Sequence, residues 1–212
     1  AASVLIALIV SAILISAAAP SSKGFFGFFG SLFSGAFGTE RRIWILLQNA
    51  FLLLGVAVAL VVAFKMKFWN LGGNGQVLMG CLAAAICMYY LGGKLPDPLV
   101  WLIMLLASLF AGALWAAIPA LFKAFFNTNE SLFTLMMNYI AMYLVAFFIS
   151  LWYPNGTGAM PPLTEGALPA LGEGQMGRSL LPILVFAVVT AAVYLYLRFS
   201  KHGYEVALIG DS

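Results

Sequence analysis

The chain has 212 residues, of which 64% are hydrophobic and only 8% charged, with a formal net charge of +3 and a mean hydropathy of +1.05. An ordinary soluble domain carries roughly 25% charged residues, so this composition excludes a water-soluble fold and makes a bilayer the solvent. The small, scattered positive charge also excludes an electrostatic nucleic-acid binder.

Taken in chain order, the apolar runs predict an all-α polytopic membrane helix bundle with about six transmembrane helices, each needing roughly 20 apolar residues. The first is Val4–Ala19, closed by Pro20. No basic segment precedes it, so it reads as a truncated span rather than a signal peptide. The chain starts at Ala1 and stops at Asp211-Ser212 without a closing helix. The expectation is a single transmembrane domain over 1–212, cut at both ends.

Residues 20–42 form a Phe/Gly segment in which Gly24, Gly27, Gly30, Gly35 and Gly38 are interleaved with Phe25, Phe26, Phe28, Phe29, Phe33 and Phe37. It is too aromatic for a solvated loop and too glycine-rich for a stable long helix. A short segment lying in the membrane interface fits both features.

The second span, Trp44–Phe64, carries Gln48 and Asn49 near one end and Gly55, Ala59 and Ala63 at four-residue spacing. The small residues offer a face for close helix approach. The two amides act either as interhelical hydrogen-bonding groups or as pathway lining. The stretch from Lys65 to Gln76 that follows is the most polar and glycine-dense break between apolar runs, with Asn70, Asn74 and Gln76. Irregular backbone at membrane depth is tolerated only where protein buries it or a wet cavity meets it. The stretch is therefore either a plain loop or part of a solute pathway.

The third span, Val77–Leu91, is short. It crosses either where the bilayer thins or with the preceding polar stretch drawn into the membrane, the arrangement that marks substrate paths in transporters. Cys81 and Cys87 lie in it at i, i+6, on different helix faces, and read as small packing residues rather than a redox or metal pair. The fourth span, Leu99–Leu121, repeats the small-residue pattern with Ser108, Gly112 and Ala116, and Pro119 is expected to kink or end it.

After the polar turn at residues 123–130, Thr128 or Asn129 is placed to cap the fifth span, with Glu130 in its first turn. That span, Leu132–Tyr153, has a polar stripe of Ser131, Thr134 and Asn138, expected to face the bundle interior or a cavity rather than lipid. Met136, Met137 and Met142 beside it read as packing. Pro154–Arg178 is a long irregular loop, and the sixth span, Leu180–Phe199, ends in a basic flank with Arg198, Lys201 and the single histidine, His202. Nothing near His202 completes a metal or catalytic site. No cofactor is expected.

Lysines and arginines favour the cytoplasm in short loops, but here the rule ties. Lys65, Lys67, Lys123, Arg198 and Lys201 fall on one side, and Lys23, Arg41, Arg42, Lys94 and Arg178 on the other.

Three stretches resemble one family. Trp69-Asn70-Leu71-Gly72-Gly73-Asn74-Gly75-Gln76 is similar to the F-N-I-G-x-E-G-Q motif of bacterial ABC-importer permeases for nucleosides and simple sugars, the branched-chain amino acid/ribose-like permease family. Asn129-Glu130 through Met136-Met137-Asn138-Tyr139-Ile140 resembles that family's N-E-x-x-x-T-x-M-x-N-Y-I, and Gly203-Tyr204-Glu205-Val206 its G-Y-E-L. The family's glutamate is Asn74 here, and Ala207-Leu208 stand where an arginine is usual.

The resemblance implies a multi-pass subunit of the bacterial plasma membrane. Its partners would be an ATP-binding subunit, a second permease subunit, related or identical, and an extracytoplasmic substrate-binding lipoprotein. It places 201–212, with His202, Gly203, Tyr204 and Glu205, at the start of the cytoplasmic segment that couples to the ATPase. The 154–178 loop then lies outside.

Gln48, Asn49, Asn70, Asn74, Gln76, Thr134 and Asn138 are the candidate pathway residues, because neutral amides and hydroxyls both donate and accept to an uncharged polar solute. An intramembrane enzyme is disfavoured: no acidic residue lies well inside a span, and no nucleophile–base pair or ligand cluster is evident. The chain has no phosphate-cradling G-x-x-x-x-G-K-[ST] loop, so ATP hydrolysis would belong to a partner. The remaining alternative is a non-transporting membrane scaffold.

Overall fold

In a computed structural model, residues 2–18, 24–156 and 158–211 are described. The expected stop at Pro20, and Ala19, Lys23 and Ser212, lie outside them. Among the described residues the chain is helical in eight segments: α1 (Ala2–Ala18), α2 (Gly24–Phe37), α3 (Glu40–Lys65), α4 (Gly73–Leu91), α5 (Asp97–Phe126), α6 (Glu130–Trp152), α7 (Gly174–Phe199) and α8 (Lys201–Asp211). Five of these, α3 to α7, are long and apolar enough to cross a membrane. The described part of α1 has 17 residues and is about 26 Å long. The Phe/Gly segment is a 14-residue helix.

Three of the boundaries that differ from the sequence reading bear on the polar breaks and the prolines. The polar residues Gly73 to Gln76 are the first turn of α4 and not a loop, which brings that helix to 19 residues. Pro119 does not end α5, which runs on to Phe126. A proline costs a helix one hydrogen bond and some crowding, and here Pro119 lies buried within a helix that continues past it. α7 begins at Gly174, six residues before the apolar run and inside the expected loop, with Leu171 N–H donating to Gly177 O at 2.9 Å beside its first turn.

The described residues cluster into two compact units. One holds α1, α2, the first part of α3 and residues 170–187, which are the end of the connection after α6 and the first part of α7. In it α1 packs on α2, where Phe25, Phe26, Phe28 and Phe29 meet edge to face at 5.3–5.6 Å. The other unit holds the rest of α3, all of α4, α5 and α6, the loop after α6, the rest of α7 and α8. Its centre is α4, which packs against α5 and α6. Gly80 faces the Ser108 carbonyl and Gly112 faces that of Gln76 at ordinary contact distance, so the small residues let α4 and α5 run close together.

Little of this surface is hidden. No more than 17% of any candidate span is buried, and side chains such as Phe110, Leu109 and Val188 are more than 60% exposed. Aliphatic and aromatic groups displayed this widely are at equilibrium only against hydrocarbon or another protein.

Candidate functional site

The break between α3 and α4 is built in steps. α3 closes with two reverse hydrogen bonds, Lys67 N–H to Phe64 O and Phe68 N–H to Ala63 O, both 3.0 Å. Lys67 sits between them at φ 55°, the left-handed position that glycine more often fills. Trp69 then packs its ring against Phe64 at 5.7 Å. Asn70 is buried, and its Oδ1 accepts the Gly72 N–H at 2.9 Å, turning the chain into α4.

What remains unpaired in this stretch is satisfied from α6. Asn129 caps α6 by accepting the Leu132 N–H at 3.1 Å, and Glu130 in the first turn pairs with Lys123 in the last turn of α5 at 3.0 Å. This start fixes the rotation of α6, so Ser131, Thr134 and Asn138 face the break. Ser131 Oγ donates weakly to Trp69 O at 3.4 Å. Thr134, fully buried, accepts the Leu71 N–H at 3.1 Å while donating to Glu130 O at 2.7 Å. Asn138 Nδ2 donates to Leu71 O at 2.9 Å, and its Oδ1 accepts the Gly75 N–H at 2.7 Å. The first N–H groups of a helix have no partner within it, so Asn138 caps α4 from a neighbouring helix.

Close approach explains two of the glycines. A Cβ at Gly72 would lie 3.1 Å from Thr134 Cβ, and one at Gly75 would lie 2.9 Å from Asn138 Oδ1 and 3.1 Å from Trp115 Nε1. The same geometry brings in a residue that the sequence reading missed. Trp115 of α5 sends its indole N–H into this junction, where that donor is buried without a partner. Pro119, four residues on, has no N–H to give to the Trp115 carbonyl. One unspent donor and one carbonyl freed from the helix ladder therefore belong to a single residue. The spacing of Trp115 and Pro119 is the only signal the sequence carried for this.

The other candidate residues are distributed as follows. Asn74 is exposed and Gln76 half-buried at the start of α4. Gln48 and Asn49 belong to the other unit. There Gln48 Oε1 accepts from Ser179 Oγ at 2.8 Å, and Gln175 Nε2 donates to the same hydroxyl at 3.2 Å. Ser179 is fully buried, and its partnership with Gln48 was hidden by its place between the expected loop and the expected sixth span. Asn49 is exposed.

At the far end, Ser200 Oγ accepts the Gly203 N–H at 3.0 Å and caps α8. Gly203 is buried against the Leu197 carbonyl and Gly210 against that of Lys65, and neither has room for a Cβ. Tyr204 and Glu205 are exposed, and the His202 ring stacks on Tyr196 at 6.1 Å. Cys81 and Cys87 are both free thiols. No group of three metal-ligating side chains occurs among the described residues.

Residues 42–212 match the family model described as the permease component of the branched-chain amino acid transport system. The chain belongs to that family. It is similar to a glucose ABC transporter permease protein of Haloferax volcanii, 26% identical over 87% of this chain and 51% of the relative. It is also similar to a guanosine ABC transporter permease protein of Bacillus subtilis, 29% identical over 86% of this chain and 53% of the relative. A nucleoside ABC transporter permease protein of Lactococcus lactis is 30% identical over 56% of this chain and 32% of its own length. The chain spans about half the length of the first two relatives. No solved structure matches it.

Proposed function

We propose that this member of the permease family forms part of the pathway of an ATP-driven importer for a neutral polar solute, a nucleoside or simple sugar. The observation that carries the reading is the α4–α5–α6 junction. The Thr134 hydroxyl and both ends of the Asn138 amide are spent on the break before α4, and the Trp115 N–H, with no partner, is left over. A solute bearing hydroxyls and ring nitrogens matches one donor and one freed carbonyl without introducing charge. The glucose and guanosine permeases named above support the same solute class.

The plasma membrane is the proposed location. The partners are an ATP-binding subunit that performs the hydrolysis, a second permease subunit, related or identical, and an extracytoplasmic substrate-binding lipoprotein. α8 is the proposed start of the coupling segment, a reading supported by exposed Tyr204 and Glu205 on a helix held to α7 and α3 at Gly203 and Gly210. Gln48, Asn49, Asn70, Asn74, Gln76, Thr134 and Asn138 remain proposed as pathway or pathway-supporting groups.

The test is labelled guanosine and glucose uptake by cells carrying the complete transporter with Trp115→Phe, which removes the N–H and keeps an aromatic ring. Uptake reduced at unchanged membrane abundance supports the pathway. Uptake unchanged for both solutes refutes a role for Trp115. A non-transporting scaffold is the reading favoured if cysteines at 134 and 138 stay protected from aqueous reagents in every nucleotide state.

A further inference from the structure

The second half of α3 and the second half of α7 border a cavity of about 440 Å³ that the transport reading does not use. Its walls are apolar: Val58 and Val61 from α3, Val193 and Leu197 from α7. Its cations are confined to one end. Lys65 is in the last turn of α3 and Arg198 in the last turn of α7, so both charges lie where the two helices finish. Val58 precedes Lys65 by seven residues and Thr190 precedes Arg198 by eight, so the apolar trough runs about 10–12 Å back from the charged mouth.

Among the described side chains the one salt bridge is Lys123–Glu130, which involves neither cation. Arg198 is nevertheless held. Its guanidinium donates to the Tyr194 hydroxyl and lies 5.7 Å over the Tyr194 ring and 5.5 Å over that of Phe199. A fixed guanidinium with further N–H groups to donate, beside a lysine and above an aliphatic trough, complements a phosphate with a hydrocarbon tail. A soluble anion has no use for the trough, and an uncharged sugar has none for the cations.

We propose that this cavity binds one anionic phospholipid, its phosphate between Lys65 and Arg198 and the upper part of one acyl chain along Val58, Val61, Val193 and Leu197. The occupant is a lipid of the phosphatidylglycerol type, without the compensating ammonium of phosphatidylcholine. The site is independent of the solute pathway, so its failure would leave that reading untouched.

The experiment uses the complete transporter in phosphatidylcholine nanodiscs containing a phosphatidylglycerol with a photoactivatable acyl chain. Peptides are then mapped by mass spectrometry. Label is expected on residues 58–65 and 190–198, displaced by unlabelled phosphatidylglycerol but not by phosphatidylcholine or inorganic phosphate. The double variant Lys65→Gln/Arg198→Gln should lose this label about thirtyfold, while Lys123→Gln keeps it. Equal labelling in the double variant, equal displacement by phosphatidylcholine, or a protein segment cross-linked there instead of lipid would each overturn the proposal. If the double variant fails to assemble, the displacement series on the unaltered protein decides.

Discussion

Asn138 Oδ1 accepts the N–H of Gly75 at 2.7 Å across the α4–α6 seam, and the same side chain donates to Leu71 O at 2.9 Å. One amide thus pairs two main-chain groups that α4 and its preceding break cannot pair for themselves. It does so only because its Oδ1 and Nδ2 are opposite in hydrogen-bonding character.

Asn138→Leu leaves both main-chain groups unpaired, each at a cost on the order of 1–3 kcal/mol. Thermal unfolding of the purified transporter in detergent should fall measurably. Asn138→Asp, which still accepts from Gly75 but cannot donate to Leu71 when ionised, should also destabilise. A Tm for Asn138→Leu equal to that of the unaltered protein would mean that the break pairs itself another way.

Gly75→Ala and Gly80→Ala should differ although both lie in α4. The first places a Cβ 2.9 Å from Asn138 Oδ1 and 3.2 Å from its Cα, and overpacking of that kind costs roughly 1–3 kcal/mol. The second meets the Ser108 carbonyl at 3.5 Å, an ordinary contact, and gains up to about 1 kcal/mol of helix propensity. The comparison is of two Tm values, and reversal of their order would contradict the packing.

Asn129→Ala removes the α6 cap and should cost about 1 kcal/mol. Glu130→Gln removes the ion pair to Lys123, whose side chain is 38% exposed, and should cost less than about 1 kcal/mol. Denaturant midpoints of the two variants measure the difference between a cap and a screened ion pair.

Ser179→Ala strips the Gln48 amide of its fully buried donor and should lower stability by on the order of 1–3 kcal/mol. Were Gln48 a pathway group rather than a structural one, Gln48→Leu would reduce uptake by more than Ser179→Ala at matched abundance. Parallel uptake and Tm curves for the two variants would mark the pair as structural.

The sequence reading located the elements well and their polar ends less well. The stripe of Ser131, Thr134 and Asn138 was legible because its three- and four-residue rhythm survives any choice of neighbour, and the cap was legible as Thr128 or Asn129, of which the structure uses Asn129. What the stripe would meet was not legible, because its partners are the Leu71 and Gly75 main chain, which every sequence possesses. The start of α4 was missed because glycine and asparagine weaken a helix unless their N–H groups are paired, and that pairing comes from a residue 63 positions away. Trp115 escaped because an indole in an apolar run looks like packing until its N–H is found without a partner.

The seam between α4 and α6 also has a mechanical meaning. Ser131, Thr134 and Asn138 rivet the second helix to the approach and first turn of the first, so the two should travel as one plate through a transport cycle. Hinging would then fall to segments without such fasteners. Spin labels at Cys81 and at Met142→Cys, both on exposed faces of their helices, should keep a constant separation whichever nucleotide the proposed ATP-binding partner holds.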